Sequence, residues 1–496
     1  MRIVASDLIS LYLPSRCSKR VVLRSRGEEE AEPTEFDKVL QELGRRHEQE
    51  HLQSLGTVVD LSRVPQEERF AITQEAIAAR TAVIYQPALR VSTFIDGIEC
   101  EVVGYPDFLI LDGDEYIIRD SKLARRIDDE HHSEIVVQVG LYGYLFEQTC
   151  GRTPKAIQVH SGTNAILDVP YDGGVAALEE LRRIVALRKT QDDLYEPVGW
   201  SKCGGCGFKE KCWEAAEQSH DVALLPEVDQ NLAIALHAIG VTSISQLFQS
   251  FDISSLSEFK RPVGKRVQKV GKKAERILQF AASMESHQEL VLAVPAIPTF
   301  PNYVMFDLEG MPPYLDELDK IYLWGTRVFG STVGEFMPAV AGFGPDGDKE
   351  GWFEFLRNAD SIFASYGDNI PFVHWAPYEK IHLSQYIERY GDPNGVAAHV
   401  KANLLDLLTV ARDSIVLPLP SFSLKVIEKY IGYTRTQATY GGEWSMAKFI
   451  LATETSDQNQ PAQLMGEILQ YNNEDLEATW AVFEWLRGKK PAIASA

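Results

Sequence analysis

The spacing of hydrophobic and polar positions changes several times along the chain, and each change marks an element. Residues 91–122 fall into short apolar runs broken by turn residues, which predicts a meander of strands. Asp96-Gly97 reads as a two-residue hairpin turn. A second turn falls at Asp112-Gly113-Asp114, between the strands 108–111 and 116–120. From 134 to 148 the period becomes helical. Apolar runs at 303–306 and 321–324 predict two more strands. A short strand at 372–373 and several amphipathic helices follow, the last over 464–486.

Pro295, Pro298 and Pro301 crowd one stretch that can continue neither a helix nor a central strand. That stretch divides the chain. Residues 1–218 hold all six cysteines, 219–296 read as short helices, and 297–496 form a third block. Strands interleaved with helices predict a multidomain α/β protein.

Composition changes this picture little. Apolar residues are 45% and charged residues 24% of the 496, ordinary globular values that exclude a wholly disordered chain. No apolar run is long enough for a membrane span. The N-terminal apolar stretch is interrupted by Ser6 and Asp7, unlike a signal peptide, so a cytoplasmic location is expected. The net charge of −22 excludes a polycation that coats nucleic acid. A local basic track remains: residues 259–276 carry Lys260, Arg261, Lys265, Arg266, Lys269, Lys272, Lys273 and Arg276 against Glu275 alone. Charge by itself reads equally as a solvated helix face or a phosphate contact.

Candidate chemistry begins with Gly104-Tyr-Pro-Asp107 and, across a hairpin, Asp120-Ser121-Lys122. Strand alternation puts Asp120 and Lys122 on one face, which the hairpin can return beside Asp107. Two carboxylates and a lysine suit metal-assisted phosphodiester hydrolysis. Gln138 and Tyr142 share a helix face in the next element, and a helical His47-Glu48 lies upstream. In this order the residues resemble the PD-(D/E)XK nuclease superfamily, in its RecB-like branch. The resemblance implies His47, Asp107 and Asp120 as metal ligands and Lys122 as the catalytic lysine. It implies Gln138 and Tyr142 as residues that support the site or contact DNA.

Cys203-Gly-Gly-Cys206 and Cys212 have compact metal-ligand spacing, which in a cytoplasmic protein favours metal over disulfides. The fourth ligand is either His220, giving a tetrahedral zinc site, or the distant Cys17. The second choice resembles the iron–sulfur nucleases of the RecB-like group, where one N-terminal and three later cysteines hold a structural 4Fe–4S cluster. Cys100 and Cys150 read as small buried hydrophobes.

In 219–296, Gly240 and Gly271 each precede a helical pattern, as in helix–hairpin–helix sequences whose backbone N–H groups receive phosphates. Lys265, Lys272 and Lys273 are the substrate-binding candidates there. Segments of this kind also serve as plain spacers.

Asp307-Leu-Glu309 follows an apolar strand, with both carboxylates on one face. Tyr471 and Asp475 share a face of the last helix, and a strand running into a helix carries His374, Tyr378 and Glu379 between them. The order resembles the DEDD exonucleases of the ribonuclease H-like fold, in the subclass with Tyr-x-x-x-Asp. It implies Asp307, Glu309 and Asp475 as ligands of Mg2+ or Mn2+ and Tyr471 as the water-positioning group. Glu379 stands where that pattern has Asp, and Asp406 matches a supporting position.

Together these resemblances imply a metal-dependent nuclease acting on single-stranded DNA or duplex ends, with a RecB-like site and a 3′–5′ exonuclease-like site. Two rivals are a noncatalytic iron–sulfur protein that binds nucleic acid and senses redox state, and an exonuclease acting on RNA through the C-terminal site only. A helicase partner is compatible with the leading reading; nothing in the sequence shows one.

Overall fold

The computed structural model describes residues 1–128, 130–190, 193–311, 320–342, 346–437, 441–454 and 460–491. They fall into two units. The first comprises 1–196 and 201–211; the second comprises 197–200 and the described residues from 212 onward.

In the first unit the expected meander forms but is shared between two sheets. Leu89–Ile95 and Ile98–Gly104 pair across a turn in which Asp96 and Gly97 both take positive φ, +47° and +77°, and Arg2–Val4 completes that sheet. Phe108–Asp112 and Glu115–Ser121 lie instead in a six-stranded sheet ordered Val59–Asp60, Val83–Tyr85, Phe108–Asp112, Glu115–Ser121, Ala156–His160, Ile166–Val169. The helix Ser133–Cys150 packs against strands of both sheets. Its Leu141, Leu145 and Phe146 are buried with Val102, Ile118, Ile157 and Val159. Each such side chain contributes about 1.5–3 kcal/mol by leaving water. The helix Glu35–Ser54 begins at a capping box, Thr34 with Asp37, and carries His47, Glu48 and His51.

The second unit is built on a five-stranded sheet ordered Met337–Val340, Lys320–Gly330, Asn302–Met311, Phe372–His374, Leu404–Asp406. The first three strands alternate in direction, each antiparallel to the one before it; the last two run parallel to Asn302–Met311. Alternation along that central strand decides what each residue meets. Val304, Phe306 and Leu308 bury against Trp352 and Phe355 of the helix Gly347–Tyr366. Tyr303 points the other way, its ring 4.6 Å from that of Phe483 in the helix Gln460–Arg487. Asp307 and Glu309 share that second parity, so the sheet presents both carboxylates towards the final helix.

Residues 219–296 belong to the second unit. The helices Gln230–Ala238 and Ile244–Ser250 flank Gly240, which takes φ +83° as the glycine turn requires. The basic track is not the single helix face weighed above. Its first half is an antiparallel β-hairpin, Lys260–Val263 with Arg266–Lys269, because Pro262 and Gly264 (φ +58°) break a helix and make a turn. The helix Lys273–Ser286 follows, and Leu290–Val291 pairs with Ile415–Val416. Among the described residues no helix is long and apolar enough to cross a membrane.

Candidate functional site

Each unit gathers one cluster of acidic side chains. In the first, Asp107 directly precedes Phe108–Asp112 and Asp120 lies in the adjacent strand. The Asp107 N–H donates to Asp120 Oδ1 at 3.2 Å, and the Ser121 N–H donates to Asp107 Oδ2 at 2.7 Å. Lys122 Nζ is 2.5 Å from Asp120 Oδ2. Burial, and then the Asp120 charge, raise the Asp107 carboxyl well above its ordinary range. Burial works to lower the Lys122 ammonium, but Asp120 and Asp107 outweigh it and hold its pKa above the usual value. Gln138 Nε2 donates to the Tyr142 hydroxyl at 2.9 Å, and that phenol lies within the field of both aspartates.

The structure also brings in residues that sequence reasoning passed over. Gln86 Nε2 donates both to Asp107 Oδ1 at 3.0 Å and to Glu48 Oε1 at 2.8 Å, and the Tyr85 hydroxyl donates to the same Glu48 oxygen at 2.8 Å. Glu48 is thus the helix residue tied to Asp107. His47, its neighbour, has Nε2 3.3 Å from the His160 carbonyl and stacks on the His160 ring at 4.2 Å. His51 stacks on the other side of His160, with Arg119 Nη1 3.2 Å from its Nε2. Burial first, then the neighbouring charges, lowers both His51 and His160 to about 4.

The second cluster is tighter. Ligand atoms of Asp307, Glu309 and Asp475 all lie within 4.8 Å of one another, the one such group of three among the described residues. Burial and the Asp475 charge push Glu309 up to about 8, and the same two causes raise Asp307. Three hard oxygen donors with mutual repulsion suit a divalent cation such as Mg2+ or Mn2+. Tyr471 lies one helical turn before Asp475; its phenol is raised by burial and the carboxylates, so it stays protonated, and it accepts a hydrogen bond from Lys425 Nζ at 2.7 Å. Glu379, in the first turn of Tyr378–Tyr390, is buried, within the field of Asp307, and paired with His374 Nδ1 at 3.1 Å. Asp406 caps the helix Leu407–Ser414 by accepting from the Thr409 N–H.

Sequence reading missed three further residues here. Asn472 Nδ2 donates to Asp307 Oδ2 at 2.7 Å. Lys425 holds Tyr471, and Arg435 pairs with Asp475. The signal for Asn472 was present, since it lies between the two motif residues of its own helix.

None of the six cysteines, all among the described residues, is in a disulfide. Cys17 occupies the position just before the helix Ser18–Ser25, and Ser15 Oγ donates to the Lys202 carbonyl at 2.6 Å, lashing the N-terminal loop to the loop bearing Cys203 and Cys206. Burial raises the Cys17 thiol, with Glu196 and Cys206 adding to it. Cys212 lies in the helix Lys209–Gln218, and His220 is exposed. Cys100 is buried and Cys150 half-buried. Of the basic track, Lys265 and Lys272 are exposed, whereas Lys273 pairs with Glu227 at 3.2 Å.

A family model of the RNase H superfamily matches residues 304–487, so the chain carries an RNase H-like domain at its C-terminal end. The search of curated proteins returned no match. A solved structure titled "Crystal structure of SSO0001" is 15% identical, covering 42% of this chain and 85% of that one, at a TM-score of 0.23, too low to speak to the fold.

Proposed function

We propose that this chain is a metal-dependent nuclease that hydrolyses DNA, single-stranded or at duplex ends, with one hydrolytic centre in each unit. The observation that carries the reading is the Asp307–Glu309–Asp475 group inside an RNase H superfamily domain. A divalent cation bound there would polarise the scissile phosphate and activate water. The protein's own groups do the rest. Asn472 fixes one Asp307 oxygen, and the protonated Tyr471, held by Lys425, offers its hydroxyl to a water. We read this as a DEDDy-type 3′–5′ exonuclease centre, with Glu379 at the position of the fourth carboxylate and paired with His374.

In the first unit, Asp107, Asp120 and Lys122 are read as the RecB-like PD-(D/E)XK centre. His47 and Glu48 are the two candidates for completing its ligand set, and the Gln86 bridge favours Glu48. Lys122 opposes the phosphate charge, and Gln138 with Tyr142 supports the site. Cys17, Cys203, Cys206 and Cys212 are read as holding a 4Fe–4S cluster. Four thiols free of disulfides fit that group, and the lashing of the N-terminal loop to residue 202 supports it. On this reading the chain divides into a nuclease domain over 1–218, a connector over 219–296 that meets phosphates through Lys265, Lys272 and Lys273, and an exonuclease-like domain over 297–496.

The test is Mg2+- or Mn2+-dependent degradation of end-labelled DNA by anaerobically purified protein, compared with Asp120→Ala, Asp307→Ala and the double variant. Each single variant is expected to lose one class of product and the double variant all cleavage. An intact wild-type digest on every DNA and RNA end structure would overturn the proposal. A competing RNA substrate degraded in preference to DNA would move the activity to RNA. A brown chromophore lost in Cys203→Ser would establish the cluster.

A further inference from the structure

Asp475 has a partner of opposite sign as well as its two acidic neighbours. Arg435 reaches it with Nη2, and Glu428 grips the same guanidinium, Nε to Oε1 at 2.8 Å and Nη2 to Oε2 at 2.7 Å. The Arg435 and Glu428 side chains are only 2% and 1% exposed. A bidentate pair of this kind fixes orientation as well as charge, and arginine keeps its proton at any working pH. The cation beside Asp475 is therefore permanent and built in.

The remaining carboxylate is otherwise engaged. Glu379 faces His374, and the group of ligand atoms within 4.8 Å stops at three. Two-cation centres place the ions about 3.5–4 Å apart and share carboxylates between them. Here a second ion at Asp475 would meet the Arg435 guanidinium at the same carboxylate.

We propose that the C-terminal centre holds a single divalent cation, between Asp307, Glu309 and Asp475, and that Arg435 supplies the second positive charge. This rests on reading that group as the metal site of a nuclease. The Nε–Nη2 edge of Arg435 is taken by Glu428 and Asp475, so Arg435 contributes fixed positive charge beside the cation, the charge that a second ion supplies elsewhere, without itself gripping the phosphodiester. Glu428 is the positioning residue that aims it.

Manganese titration of the full-length protein tests this, with free Mn2+ read by electron paramagnetic resonance. The Asp307→Asn/Glu309→Gln variant is expected to bind one ion fewer per chain than wild type. Arg435→Gln is expected to bind one ion more than wild type and to gain the signal of a spin-coupled manganese pair. Glu428→Gln, which loosens the guanidinium, should move part of the way. If the double variant loses two ions, or a coupled-pair signal of wild type disappears with it, the proposal is overturned while the metal reading stands. If the double variant loses none, the metal reading falls and takes this proposal with it. A folded Arg435→Gln that gains no ion also overturns it. Should Arg435→Gln fail to fold, Arg435→Lys keeps the charge and must bind the same number of ions per chain as wild type.

Discussion

Gly325 lies directly opposite Asp307 in the antiparallel ladder, and a Cβ placed on it would fall 1.7 Å from Asn472 Oδ1. The missing side chain is what lets Asn472 reach across the sheet to Asp307. Gly325→Ala should therefore push Asn472 away, costing about 1–3 kcal/mol of stability from overpacking. It should also weaken Mn2+ binding at the Asp307 group. Chemical denaturation and metal titration of the same variant check both effects.

Asp107 and Asp120 repel each other in a buried site with Lys122 as their near counter-charge. Asp107→Asn should raise the melting temperature in chelator, because it removes a like charge, while abolishing the further rise that Mg2+ gives wild type. Lys122→Met should do the reverse in chelator, lowering the melting temperature. It should also cut hydrolysis by the first unit about a hundred- to ten-thousand-fold, the usual range for a proton-handling or charge-opposing side chain. Thermal melts with and without Mg2+ separate the two.

His51 and His160 are buried, neutral and held at about 4, against 6.5 for an ordinary imidazole. In the unfolded chain both accept protons below about 6.5, but in the folded chain only near 4. The unfolded state therefore binds more protons in that window, and stability falls as pH drops from 6.5 towards 4. The His51→Phe/His160→Gln variant should show a flatter fall over the same window in denaturant titrations made at stepped pH.

Asp348 takes hydrogen bonds from the hydroxyls of Tyr386 and Tyr390 at 2.8 and 2.7 Å and from Arg389 at 2.9 Å, all away from the carboxylate cluster. Asp348→Ala removes the buried carboxylate that Arg389 and the two tyrosine hydroxyls share. The expected cost is about 3–5 kcal/mol in the second unit. Activity per folded molecule of the first unit should be unchanged, which an assay of that centre in an Asp307→Ala background reads.

What the sequence discloses depends on how far a residue's role is local. Asp307 and Glu309 are legible because strand parity puts both on one face, and Tyr471 and Asp475 because a helical turn does the same. Asp96-Gly97 is legible because few dipeptides adopt two successive positive φ values. Arg435, Lys425 and Gln86 are not legible. Each acquires its role only when the chain folds back on a residue distant in the sequence, Asp475 for Arg435, Tyr471 for Lys425 and Asp107 for Gln86. The basic track shows a different limit. Its charge pattern left a solvated helix face and a phosphate contact equally open, and Pro262 and Gly264 make its first half a hairpin, not a helix.

The central strand Asn302–Met311 supplies two of the three clustered carboxylates, and the helix Gln460–Arg487 supplies the third. On a ribosome the first two emerge long before their partner does. A nascent chain thus has no complete cation cage at this position until the helix Gln460–Arg487 has been made, and the cage closes only when that helix docks.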